Sequence, residues 1–139
     1  MATRTSTISL ETKGDTDIID ISQRVADFVQ AGGIRDGIVT IFCPSSTSAV
    51  TTIEYESGCL TDLKRLFERV APQEFDYAHN ARWGDGNGFS HVRAALLGAS
   101  LSIPVLQGRL TLGMWQQIVY VDFDNRPRHR ELVIQLMGD

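Results

Sequence analysis

From Gly37 to Cys43 the chain reads Gly-Ile-Val-Thr-Ile-Phe-Cys, and Pro44 follows at once. A β-branched run of this length reads as a buried strand. Proline has no N–H to give to a ladder, so the strand stops there and the chain must turn. Ser48 to Glu54, rich in Thr and Val, reads as the next strand. The two strands meet at a hydroxyl-rich junction, Pro44-Ser45-Ser46-Thr47-Ser48-Ala49. Hydroxyls there can satisfy a turn or bind phosphate oxygens.

Further strands are predicted at Thr5 to Thr12, Ser100 to Val105, Gln116 to Phe123 and His129 to Met137. Lys13-Gly14-Asp15 marks a turn, and Asp124-Asn125-Arg126-Pro127 predicts the turn of a hairpin joining the last two strands. Asp20 to Ala31 reads as a helix, with Ile21, Val25, Phe28 and Val29 on one stripe, Asp20 or Ser22 as cap and Gly32-Gly33 as stop. Leu60 to Val70 reads as a second, with Leu60, Leu63, Leu66, Phe67 and Val70 on one face, Asp62 near its start and Pro72 after its end. Ser90 to Leu97, closed by Gly98, is a short third candidate. The pattern predicts one α+β domain over residues 1–139, with mostly antiparallel strands and two main helices.

The formal charge of −4 gives no basic footprint for nucleic acid. No apolar run approaches the roughly 18 residues that span a bilayer, and Met1 to Ile8 lacks the apolar core of a signal peptide. Cys43 and Cys59 have no paired-ligand spacing. Reduced thiols and a cytoplasmic location are expected, with Cys43 as a small buried hydrophobe.

His79 to Gly98 holds two of the three histidines. A Gly/Asp/Asn loop, Gly84-Asp85-Gly86-Asn87-Gly88, lies between His79 and His91. Glycine lets backbone approach a ligand, a helix N-terminus suits an anion, and histidine moves protons or ligates metal. The segment therefore points to a phosphorylated small molecule or a metal, against the plainer alternative of a surface loop capped by Ser90. His79, His91 and Asp85 are the candidate metal ligands, although their spacing matches no compact zinc motif. Asp85-Gly86-Asn87-Gly88 matches only part of a calcium loop. There is no nucleotide P-loop and no Gly-x-Ser-x-Gly elbow. Glu54, ending a strand, is a candidate base or Mg2+ ligand, with Glu56 a solvated neighbour. Trp115 reads as core beside an apolar strand, and Gln116 next to it as a substrate contact. Arg126, Arg128, His129 and Arg130 form a basic cluster that can grip phosphate.

These segments, in order, resemble the YjbQ-like family of secondary thiamine-phosphate synthases. The matching residues are Thr47-Ser48-Ala49 leading to Glu54, Asp62-Leu63, Tyr77-Ala78-His79-Asn80, and Gly86-Asn87-Gly88 leading to Ser90-His91-Val92-Arg93-Ala94. They continue with Gly98 to Val105, Gly108-Arg109-Leu110, Gly113-Met114-Trp115-Gln116 and Pro127-Arg128-His129-Arg130. The resemblance implies a sandwich of strands, a homotrimer with clefts near subunit boundaries, and a weak transferase activity. That activity joins hydroxymethylpyrimidine diphosphate to a thiazole phosphate and releases pyrophosphate. The family usually carries histidine where this chain has Ser46. Serine is a poor ligand beside imidazole, which argues against a transition metal and leaves a Mg2+–diphosphate site less affected.

On that chemistry, His79, His91 and Glu54 are the expected catalytic residues. Ser46, Thr47, Ser48, Asn87, Gly88, Ser90, Trp115, Gln116, Arg128 and Arg130 are the expected substrate contacts. His91 and the helix begun at Ser90 would hold phosphate, and His79 would donate a proton. Glu54 or Asp85 would orient Mg2+, the arginines would neutralise leaving charge, and Trp115 would stack on a ring. The alternatives are a trimeric metabolite- or metal-binding protein without turnover, and a metal-dependent hydrolase of a phosphorylated metabolite.

Overall fold

The computed structural model describes residues 1–139. Eight strands and four helices follow in the order β1 (Ala2–Thr12), β2 (Asp17–Asp20), α1 (Ser22–Ala31), β3 (Gly37–Phe42), β4 (Ser48–Ile53), α2 (Ser57–Val70), α3 (Ala78–Trp83), α4 (Gly88–Leu97), β5 (Ser100–Leu106), β6 (Arg109–Leu110), β7 (Gln117–Asp122) and β8 (Arg128–Gly138). They build a five-stranded sheet, β1-β8-β3-β5-β6, and a three-stranded sheet, β2-β7-β4. Every pairing is antiparallel.

Side-chain alternation explains the layers. Ile8 and Leu10, Val39 and Ile41, Ile103 and Val105, and Leu132, Ile134 and Leu136 face inward from the large sheet. They meet Val50, Ile118 and Tyr120 of the small sheet, and Ile21, Val25 and Val29 of α1. The other face of the small sheet, Ala49, Val119 and Val121, packs with Phe123 against Phe67 of α2 and Ala94 of α4. Covered on both faces, β7 is buried from Ile118 to Asp122.

The fold differs from the sequence expectation in several places. The two main helices form as α1 and α2 and the short third candidate as α4; α3 and the short strands β2 and β6 are added. β7 and β8 make no hairpin, because residues 123–127 carry the chain from one sheet to the other. Only β5 and β6 pair as sequence neighbours. α2 begins at Ser57, since Glu56 caps it by accepting from the N–H groups of Gly58 and Cys59 at 2.7 and 2.9 Å. Asp62 therefore lies one turn inside the helix. No helix is long and apolar enough to cross a membrane.

Candidate functional site

The chain crosses between sheets at the same end of the molecule in two places. β3 ends as Pro44 removes its next ladder donor, and Ser45-Ser46-Thr47 lead into β4. Residues 123–127 make the return crossing from β7 to β8. Phe123 N–H donates to the Thr47 carbonyl at 3.0 Å and ties the two crossings together. The loop between α3 and α4 closes the third side, where Asn125 donates from Nδ2 to the Asp85 carbonyl (2.8 Å) and from its N–H to Asn87 Oδ1 (3.2 Å). The cleft between them has a volume of about 420 Å³ and a lining of polar residues, Asp85, Asn87, His91, Asp124, Arg128 and Arg130 facing Ser45-Ser46-Thr47. A second groove of about 410 Å³ continues from Ser46 and His91 along Ala94, Ala95, Gly98 and Ala99.

β8 parity sets the electrostatics. Leu132, Ile134 and Leu136 point inward, so Arg130 and Arg128 point the same way and His129 points out, where it pairs with Glu11. On β7, Ile118 and Tyr120 face the large sheet, so Asp122 does too. Arg130 grips Asp122 with two bonds, Nε to Oδ2 at 2.8 Å and Nη2 to Oδ1 at 3.0 Å. Asp122 is fully buried and also accepts from Thr12 Oγ1 at 2.6 Å and from Asp124 N–H at 3.0 Å. Burial opposes the Arg130 charge, yet the paired carboxylate holds its pKa above the ordinary value. Arg130 is thus committed to Asp122, and its Nη2 also donates to Thr47 Oγ1 at 2.7 Å.

Asp124 is 1% exposed. Burial would raise its pKa, but hydrogen bonds from Thr47 and Arg128 outweigh burial and keep it below the usual carboxylate range. Arg128 pairs with Asp124 at 3.2 Å while a third of its side chain remains exposed. Of the two arginines, Arg128 has donors left for a ligand.

The fold brings the two histidines together. Their ring centroids lie 4.4 Å apart. His79 Nε2 donates to Asp85 Oδ2 at 3.1 Å. Asp85 Oδ1 accepts from Asn87 N–H at 3.1 Å, and that bond, with His79, lowers the Asp85 pKa. The carboxylate favours the tautomer that carries its proton on Nε2, which leaves Nδ1 as an acceptor.

Other expected residues are placed differently. α4 starts at Gly88, not Ser90, and Ser90 is fully buried with its hydroxyl donating to Asn87 O and Oδ1. Gly88 N–H is taken by Asn80 Oδ1 at 2.8 Å. Ser90 and Gly88 therefore have their polar groups taken by Asn87 and Asn80, and neither lines the cleft. Gly88 is required by packing, because a Cβ there would lie 2.5 Å from Tyr77 Cβ. His79, His91 and Asp85 do not gather three ligand atoms within 4.8 Å, whereas Glu54, Glu56 and Cys59 do. Glu56 in that trio is occupied as the helix cap. Glu54 follows β4, and Ser48 at the cleft opens that strand, so Glu54 stands at the far end of the small sheet. Trp115 is 68% exposed and is not core. Gln116 binds Gly113 N–H and Thr52 Oγ1, also at the far end. Cys43, 1% exposed, is pushed up to about 12 by burial and serves as core.

Sequence reasoning missed Asp122, Asp124 and Thr12. Strand parity was the signal, since each is the polar continuation of an inward-facing apolar series or follows one. It also missed Arg93, which is buried and ties α4 to Ala71 O, Thr16 and Glu68. Arg93 fastens the helix that carries His91.

The family model described as "UPF0047 protein YjbQ-like" matches residues 6–139. A UPF0047 protein of Methanothermobacter thermautotrophicus is 38% identical over 138 residues, covering 99% of this chain and 94% of the relative. YugU of Bacillus subtilis is 35% identical over 133 residues, covering 95% and 98%. Among solved structures, a YbjQ-like protein of unknown function from Sulfolobus solfataricus superposes with TM-score 0.90 at 27% identity, covering 99% of this chain and all of that one. A Clostridium acetobutylicum relative reaches TM-score 0.87 at 32% identity, covering 95% and 99%. The ordered sequence motifs, the two-sheet fold and the matched length agree, and the chain belongs to the UPF0047 YjbQ-like family.

Proposed function

We propose that the cleft binds a phosphorylated small molecule and supports a transferase reaction of the thiamine-phosphate synthase type. The supporting observation is convergence: Thr47, Asp85, Asn87, His91, Asp124 and Arg128, drawn from three separate segments of the chain, line one polar cleft beside His79. Arg128 takes phosphate oxygens, and the His79–Asp85 pair supplies or removes a proton. Mg2+ bound by Asp85 and a diphosphate would stabilise the leaving pyrophosphate. Purified protein given hydroxymethylpyrimidine diphosphate, thiazole phosphate and Mg2+ is expected to form thiamine phosphate. A His79→Ala, His91→Ala double variant is expected to lose that turnover. Equal rates in the two proteins would refute the reading.

Assembly as a homotrimer is part of this proposal. Leu66, Val70 and Leu96 are 51%, 56% and 63% exposed along one apolar groove between α2 and α4. Contact between copies would cover such a surface. Ser46 favours a second reading, a binding protein without turnover. Under that reading, phosphorylated ligands raise the melting temperature while no product forms.

A further inference from the structure

We infer that the ligand carries a hydrogen-bond donor, N–H or O–H, close to its phosphate, and that Asp124 Oδ1 receives it. The inference rests on the phosphate reading above and narrows its substrate class. Three side-chain donors converge on Asp124 Oδ2: Thr47 Oγ1 at 3.0 Å, Arg128 Nη2 at 3.2 Å and Arg130 Nη2 at 3.5 Å. Oδ1 is buried and has no partner, on a residue that lines the cleft. Arg128 lines the same cleft, and its Nε is likewise buried without an acceptor. An unpaired acceptor and an unpaired donor thus sit on the two partners of one ion pair in the cleft, and a molecule that presents an acceptor and a donor together satisfies both.

Charge points the same way. Arg130 is neutralised by Asp122, so Asp85 and Asp124 share one further guanidinium, Arg128, which already pairs with Asp124. A bare anion would meet two carboxylates there. An amino or hydroxyl group beside the phosphate turns Asp124 from a repelling neighbour into a partner.

The test is isothermal titration of the whole chain, in EDTA, with 2-aminoethylphosphonate, 2-hydroxyethylphosphonate and propylphosphonate, which are close in size. The two donor-bearing probes are expected to bind about tenfold more tightly than propylphosphonate, as one charge-assisted hydrogen bond implies. In Asp124→Asn, the amide oxygen turns toward the arginines and places NH2 where Oδ1 stood, so the preference should vanish. Asp124→Glu, which keeps the charge but moves the oxygens, should also reduce it. Arg128→Gln should weaken all three probes alike. Equal wild-type affinities for the three probes would overturn the inference while leaving the phosphate reading intact. A preference that appears only with Mg2+ would overturn it too, since a cation would then occupy Oδ1. No binding of any probe or of inorganic phosphate would remove both.

Discussion

Removing the Asp122 carboxylate is expected to be among the most damaging single changes in this molecule. Asp122 has no exposed surface and accepts four hydrogen bonds: two from Arg130, one from Thr12 Oγ1 and one from Asp124 N–H. In Asp122→Ala the Arg130 side chain, 14% exposed, keeps only the 3.5 Å contact to Asp124 and the neutral bond to Thr47 Oγ1 at 2.7 Å. Breaking a buried ion pair from one side costs about 3–5 kcal/mol, because a charge is left uncompensated. At about 4 °C per kcal/mol for a chain of this size, the melting temperature should fall by about 12–20 °C. Urea unfolding followed by circular dichroism would read the change as a lower midpoint at constant slope. The double variant Asp122→Leu, Arg130→Met should recover at least half of the loss, since apolar replacement of both partners removes the stranded charge. A single-variant cost below about 1 kcal/mol would refute the buried-pair reasoning. So would a double variant no more stable than Asp122→Ala.

Two further outcomes follow from the same geometry. Gly88→Ala should destabilise the protein by about 1–3 kcal/mol, because its Cβ would meet Tyr77 Cβ at 2.5 Å; an unchanged melting temperature would show that position 88 faces free space. Asp124 has its native pKa held below the unfolded value of about 3.9, so it stabilises the fold above that pH and the contribution is lost as pH falls through the native value. Arg128→Gln weakens this effect, so the acid-unfolding midpoint should move to higher pH; a midpoint equal to wild type would contradict the pairing.

Much of the site was legible because it is built by local rules. Pro44 marked the end of β3, and the hydroxyl-rich junction after it does line the cleft. His79 and His91 were seen as a pair because a short glycine-rich loop must return the chain close to itself. Non-local pairing hid the rest. A turn-like Asp-Asn-Arg-Pro between two strands reads as a hairpin, and nothing nearby in sequence tells that β8 joins β1 and β3 instead. That crossing is also what buries Asp122 and Asp124, so their roles were invisible together with the topology. Ser90 misled for a different reason. A serine before an apolar stretch reads as a cap, but the helix starts two residues earlier and turns that hydroxyl inward. Trp115 misled because aromatic size argues for burial, whereas its exposure depends on which surfaces are left uncovered.

The ligand is expected to bind where the two sheet crossings meet the α3–α4 loop. An amide-resolved NMR titration with inorganic pyrophosphate tests it most directly, on wild type and on Arg128→Gln. Saturable shifts are expected at Ser45–Ser48, Asp85–His91 and Asp124–Arg130, and the Arg128 variant should weaken them several-fold. Shifts confined to the far end of the small sheet around Glu54 and Trp115, or saturable shifts unchanged by the variant, would contradict the account.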